Sequence, residues 1–183
     1  GRALSENFSV GGHLKRAYQY LGNNVVPVSD SSNTVENNVA NAIAVDFGTI
    51  YITDWHGFTF GMSVRNFSEE VEYGYDSFQL PLTFRIGGSI DVLSFLPSLS
   101  EKQSLRMALE ALHPRSYPER LNFGLEYSFM DLGNLRLGYL FNYDERNLTY
   151  GAGIKLGPLN IDYALTPFGV FDSVSRISVS IAR

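Results

Sequence analysis

Apolar residues recur at every second position through many short runs of this chain, and this period constrains its fold more than any other feature. An extended backbone sends successive side chains to opposite faces, whereas a helix brings them back every three to four residues. In Phe58-Thr59-Phe60-Gly61-Met62-Ser63-Val64-Arg65, the Phe, Met and Val residues share one face and Thr, Gly, Ser and Arg share the other. Leu121, Phe123, Leu125, Tyr127 and Phe129 alternate in the same way with Asn122, Gly124, Glu126 and Ser128.

Breaks between such runs read as tight turns. Asp131–Asn134 leads into a return strand from Leu135 through Tyr139 to Phe141, and Asp144–Asn147 leads into Leu148–Leu156. Gly157-Pro158 separates that run from Leu159–Leu165, and Ile177–Ile181 ends the series. Earlier segments are longer: Phe8 to about Leu21, Ile43 to Thr53 and Phe78 to about Val92. In the last, Leu80, Leu82, Phe84 and Ile86 alternate with Pro81, Thr83, Arg85 and Gly87. Residues 101–112 fit two periods. Ser100-Glu101-Lys102-Gln103 resembles a capping box, with Leu105, Leu109 and Leu112 on a helical face, while Leu105, Met107, Leu109 and Ala111 share a strand face; strand is the expectation. Asn23 to Asn41 has no sustained period and is expected to be a long loop on the side opposite the short turns.

A content of 14% aromatic residues with 17 glycines supports strands and tight turns. Fourteen Lys and Arg against nineteen Asp and Glu leave a net charge of −5, with the basic residues scattered, which excludes an electrostatic footprint for nucleic acid. There is no Cys, hence no disulfide and no thiolate metal site. No run approaches the roughly 18 apolar residues that a membrane-spanning helix needs, so only a barrel could cross a bilayer. Gly1 to Ser9 lacks a basic start followed by an apolar core, so no signal peptide is expected within the chain.

Alternation alone leaves two architectures open. A soluble sandwich packs its apolar faces together, whereas a membrane barrel turns them to lipid. The composition of the other face favours the barrel: Asp46, Arg85, Arg106, Glu110, Glu126, Arg136, Lys155 and Asp162 lie there among Gly, Ser, Thr and Asn. These eight are the candidate lumen-facing residues, either lining a substrate path or compensating one another in a wet interior. Tyr18, Tyr20, Tyr51, Tyr127, Tyr139, Tyr143, Tyr150 and Tyr163 read as anchors at a membrane interface.

Asp46-Phe47-Gly48-Thr49-Ile50-Tyr51 and Trp55 to Asn66, with Ser77 to Gly87, Pro118 to Tyr127, Asp162 to Gly169 and Ser175 to Ser180, resemble the PorV/PorQ family of bacterial outer-membrane proteins, relatives of the FadL-type barrel. The resemblance spans nearly the whole chain. It implies an all-β, antiparallel up-and-down transmembrane β-barrel, with residues 1–183 as one domain forming a carboxy-terminal portion of about ten strands, without the amino-terminal strands and plug. The last residues, Ile181-Ala182-Arg183, lack a terminal aromatic, so a few further residues are expected beyond them.

The resemblance also implies a non-enzymatic role in protein secretion or surface attachment of the type IX kind, at the bacterial outer membrane, with membrane lipid and protein partners or secreted cargo. The alternatives are a FadL-like channel for hydrophobic small molecules and a soluble β-sheet binding module. No cofactor is expected. Gly151 to Gly157 lacks the spacing and following helix of a phosphate loop, and its small residues are read as relieving crowding on the wall. His13, His56 and His113 lack metal-ligand spacing, and no Gly-x-Ser-x-Gly elbow is present.

Overall fold

Ten antiparallel pairings join eleven strands into one up-and-down sheet in the computed structural model. The structure describes residues 1–29, 32–73, 76–96, 98 and 102–181. The sheet runs in the order β1 (Arg2–Ala3), β2 (Phe8–Ser29), β3 (Ser32–Ile52), β4 (Thr59–Ser68), β7 (Thr83–Asp91), β8 (Gln103–Pro114), β9 (Arg120–Phe129), β10 (Gly133–Phe141), β11 (Leu148–Leu156), β12 (Leu159–Pro167) and β13 (Ser173–Ile181). A separate hairpin, β5 (Val71–Tyr73) with β6 (Asp76–Phe78), sits between β4 and β7 in the chain. The sheet is not closed into a barrel: β1 and β13 are its two edges.

Register makes the face assignment rigorous, because directly opposed residues of an antiparallel pair point to the same side. Phe60, Gly88, Leu109, Phe123 and Tyr139 are opposed in succession across β4, β7, β8, β9 and β10. The alternate row Thr59, Ser89, Ala108, Gly124 and Gly138 belongs to the other face. One face is therefore mainly apolar and the other mainly polar, with Arg16 and Asn41 on the first and Ile50 and Leu140 on the second as exceptions.

The apolar face has nothing packed on it over much of its area. Leu14 is 71% exposed, Leu135 63% and Ile177 71%. Among the described residues only Ala40, Ala44, Val71 and Leu112 are buried hydrophobics. β5 lies against β3, whose buried Ala40 and Ala44 share the polar face with Asp46. The accessible surface is 13313 Å², against about 8,800 Å² for a compact soluble monomer of this mass. The molecule is a broad curtain with very little core.

The connections at 53–58, 130–132 and 157–158 lie at one end with the 3₁₀ turn Val92–Phe95, and the tight turns at 130–132 and 157–158 mark it as the short-turn end. The β2–β3 hairpin, β5–β6 and the connections at 115–119, 142–147 and 168–172 occupy the other. Residues 103–114 form the expected strand; Ser100 and Glu101 of the capping-box reading lie outside the described residues. Ala182 and Arg183 do so as well.

Two expectations are corrected. Asn23 to Asn41 is not a long loop, since its described residues belong to β2 and β3, with Asn23 opposite Asn37 and Val25 opposite Val35. Val25 and Val35 on one face are 63% and 59% exposed and Thr34 on the other is exposed too, so burial at these positions imposes no alternation, yet the backbone ladder still forms. The hairpin does lie opposite the short turns. Phe78 to Val92 is not one strand either: β6 ends at Phe78 and β7 begins at Thr83. Pro81 has no N–H to give a ladder, and the Leu82 amide turns back to the Leu80 carbonyl at 2.7 Å.

Gly157 carries φ +61° at the first central position of the two-residue β11–β12 turn, with Pro158 second. That is the type II′ pattern, in which a side chain at the first position is strained. Gly157→Val is expected to cost about 1–2 kcal/mol, read as a lower denaturant midpoint of the reconstituted protein; an unchanged midpoint would contradict the turn assignment.

Candidate functional site

All eight candidate residues fall on the polar face, but they divide into groups. Four directly opposed positions carry charges of alternating sign: Asp91 on β7, Arg106 on β8, Glu126 on β9 and Arg136 on β10. Continuing the row gives Gly151, Ala164 and Arg176 on β11, β12 and β13. Arg136 is the centre. Its Nε donates to Glu126 Oε2 at 2.6 Å and its Nη1 to Asp162 Oδ1 at 2.7 Å.

The second of these bonds spans from β10 to β12 over the intervening strand, and the reason is local. A Cβ on Gly151 would stand 3.2 Å from the Arg136 Cβ. One on Gly153 would stand 2.5 Å from Asp162 Oδ1 and 2.7 Å from Asn134 Oδ1. The two glycines of β11 leave the passage through which the guanidinium reaches the carboxylate. The Gly151–Gly157 run thus makes room on a crowded wall.

A second group joins Arg85, Glu110 and Asn122. Arg85 Nη1 stands 3.6 Å from Glu110 Oε1, and Asn122 Nδ2 donates to Glu110 Oε2 at 3.0 Å. Lys155 shares the face but lies opposite Asn160, apart from these groups.

Asp46 belongs to a third group at the other side of the sheet. The register slips between Val45 and Phe47, so that Asp46 confronts both Arg65 and Asn66 of β4. Asn66 adopts φ +60°, the two-against-one geometry of a β-bulge. Its backbone N–H donates to Asp46 Oδ1 at 2.7 Å, while Lys15 Nζ donates to both Asp46 oxygens at 2.7 and 2.8 Å and to Asn66 Oδ1 at 2.5 Å. Asn66 Nδ2 donates to the Pro81 carbonyl at 2.9 Å. One carboxylate therefore ties β2, β3 and β4 to the segment before β7. His13 Nδ1 lies 3.7 Å from Asp46 Oδ2.

The end opposite the short turns, beginning two residues from Asn122 on β9, carries a stack of alternating rings and guanidinium groups. The Arg120 Cζ is 5.2 Å from the Tyr117 ring and 4.5 Å from Tyr143; the Arg146 Cζ is 4.9 Å from Tyr143 and 5.6 Å from Phe168. The stack links the β8–β9, β10–β11 and β12–β13 connections, and Asn142 Nδ2 adds a bond to the Glu119 carbonyl at 2.8 Å. The Glu119 carboxyl is held below its usual range, first by its own backbone amide and then by His113, whose Nδ1 is 3.1 Å away.

By register Tyr18, Tyr20, Tyr51, Tyr127, Tyr139, Tyr150 and Tyr163 occupy the apolar face, while Tyr143 sits between Arg120 and Arg146. His56 is elsewhere again, stacked on Phe95 at 3.8 Å. Among the described residues no three His, Asp or Glu side chains gather in metal-binding geometry. The polar face is a hydrogen-bonded wall.

Sequence reasoning missed Lys15, Asn66 and the ring stack. Nothing in the local pattern marks Lys15 or Asn66, since the β2–β3 register brings Lys15 to Asp46 and the β3–β4 register slip brings Asn66 there. The stack had a visible signal: Tyr117-Pro118-Glu119-Arg120 and Tyr143-Asp144-Glu145-Arg146 repeat Tyr-x-Glu-Arg in alternate connections.

Arg136, Glu126 and Asp162 are 42%, 32% and 35% exposed, so solvent screens each pair. Double-mutant cycles are expected to give couplings of about 0.2–1 kcal/mol for Arg136 with either carboxylate. Gly153→Val should abolish the coupling to Asp162 and leave that to Glu126; an undiminished Asp162 coupling would contradict the passage. A comparison with protein-family models gives no match for this chain, and neither does a comparison with curated proteins.

Proposed function

We propose that this chain forms wall of a bacterial outer-membrane β-barrel and serves, as its resemblance to the PorV/PorQ family implies, as a non-enzymatic component of protein secretion or surface attachment. One observation carries the membrane part of this reading: an extended apolar face with no partner, on a sheet that buries four hydrophobic residues among those described. A soluble sheet of this breadth would leave in water the surface that stabilises folded proteins, at roughly 25 cal/mol per Å². Lipid supplies the missing contact.

Strand direction supports closure with further strands. β1 and β13 both run toward the short-turn end, because ten successive antiparallel pairings separate them. Joining them directly would be parallel, and a second copy in the same membrane orientation would meet the same mismatch. An antiparallel barrel therefore takes an odd number of further strands between these edges, giving the even total usual in outer-membrane barrels. In hydrocarbon such closure is required, since each unpaired backbone group costs several kcal/mol.

Charge on the polar face favours a wet interior over a path for apolar solutes: Arg106, Glu126, Arg136 and Asp162 cross its middle. The stitched connections at Tyr117–Arg120 and Tyr143–Arg146 supply a firm rim for a protein partner. The full protein is expected to need detergent for extraction and to retain cargo bearing a carboxy-terminal secretion signal in pull-down. Release without detergent would overturn the membrane reading, and binding of a long-chain fatty acid without cargo would favour the channel.

Substitution separates the faces. Phe60→Arg or Leu125→Arg is expected to impair membrane assembly by roughly 2–4 kcal/mol per midplane site. Gly124→Ser should be tolerated, since the nearest atom to a new Cβ there is the Ala108 Cβ at 4.0 Å. Equal assembly of all three variants into vesicles would contradict the face assignment.

A further inference from the structure

At the short-turn end, two connections are locked together by an aromatic cluster. In residues 53–58 the Thr53 amide donates to the Phe58 carbonyl and the Phe58 amide to the Trp55 carbonyl, both at 2.8 Å. His56 takes φ +49° within it, a conformation that the surrounding bonds must hold. The neighbouring 3₁₀ turn, Val92–Phe95, is capped by Asp91, whose Oδ1 accepts from the Leu93 and Leu105 amides at 3.1 Å each. His56 Nδ1 and Ser94 Oγ, 3.0 Å apart, join the two turns.

Upon this frame the rings interlock. His56 stacks on Phe95, and Trp55 meets Phe95 edge-on at 5.9 Å and Phe58 at 6.2 Å. The bonding does not hide them: Trp55 is 59% exposed, Phe95 47% and Leu96 52%. The cluster also continues the apolar face of the sheet. A Cβ on Gly88 would lie 3.2 Å from the Phe58 ring, and Gly88 shares its face with Phe60, Ile86 and Leu109. An apolar groove of about 570 Å³ joins Phe58 and Phe60 to Ile90 and Met107.

We infer that Trp55, Phe58 and Phe95 form a preorganised knuckle that seats in the boundary between headgroups and acyl chains of a bilayer and sets the depth of the short-turn end. The inference rests on the membrane reading and adds a location to it. Phe58 continues the lipid-facing surface inward, while Trp55, flanked by Asp54 and His56, stands where the strand ends. An indole, with an apolar body and one N–H donor, suits that boundary better than either water or hydrocarbon.

Trp55 is the sole tryptophan of this chain, so emission reports it alone once any tryptophan outside residues 1–183 is replaced by Phe. The full protein would be reconstituted in phosphatidylcholine vesicles carrying bromine at defined acyl depths. Quenching by shallow bromines is expected to exceed that by bromines at the chain ends about twofold, with blue-shifted emission. Phe95→Ala should shift emission to the red while the protein stays inserted, as read by protease protection. Strong iodide quenching without bromine quenching in the inserted protein, as a water-exposed or protein-docking surface would give, overturns the inference while the barrel reading survives. So does maximal quenching at the chain ends. Failure to associate with vesicles at all defeats both.

Discussion

The two-residue period of an extended chain, held in register by an unbroken antiparallel ladder, is the constraint on which the rest of this structure depends. Each backbone hydrogen bond fixes a neighbour's phase, so the side on which Phe60 points decides the side for Tyr139 three strands beyond β7. A slip of one residue in one hairpin would turn that strand's apolar row to the polar face. The slip opposite Asp46 is absorbed by a bulge at Arg65 and Asn66, and Asn66 and Lys15 bind the carboxylate that faces it; the other shifts lie in the β2–β3 hairpin, between Tyr20 and Asn23 and between Pro27 and Ser29.

With the faces sorted, the two sides solve different problems. The polar side carries charges that need partners, and it supplies them across strands, even across a whole strand where Gly151 and Gly153 leave room. Those pairs are partly exposed and individually weak, so they serve to keep the wall ordered more than to hold it together. The apolar side has no internal partner, and its stabilisation must come from whatever covers it. In the proposed reading that covering is a bilayer, whose chemistry matches Leu, Ile and Phe in rows ending at an aromatic knuckle.

Much of this was legible in the residues because burial or its lipid equivalent imposes a period. The strands from β7 to β13 were readable from alternation, β8 included despite a competing helical period, and so was the grouping of Asp46, Arg85, Arg106, Glu110, Glu126, Arg136, Lys155 and Asp162 on one side. Where burial imposes no period, as at the exposed Val25, Thr34 and Val35, the signal vanishes, which is why the Asn-rich part of the β2–β3 hairpin reads as a loop yet pairs as strands. Pro81 interrupts a ladder without interrupting an apolar pattern, so hydrophobicity alone carries the eye past it. Partners brought together by register or by adjacent connections, such as Lys15 with Asp46 or Arg120 with Tyr143, are long-range consequences of the fold and have no local period.

The central claim is that the apolar rows contact acyl chains while the polar rows contact water. Its most direct test is a nitroxide scan along β9 of the full protein, each site a single cysteine, since residues 1–183 have none and any outside them is replaced by Ser. In vesicles, labels at 121, 123, 125 and 127 should collide preferentially with oxygen, and labels at 122, 124, 126 and 128 with a water-soluble nickel chelate. Nickel accessibility at Phe123 and Leu125 equal to that at Asn122 and Gly124 would contradict it.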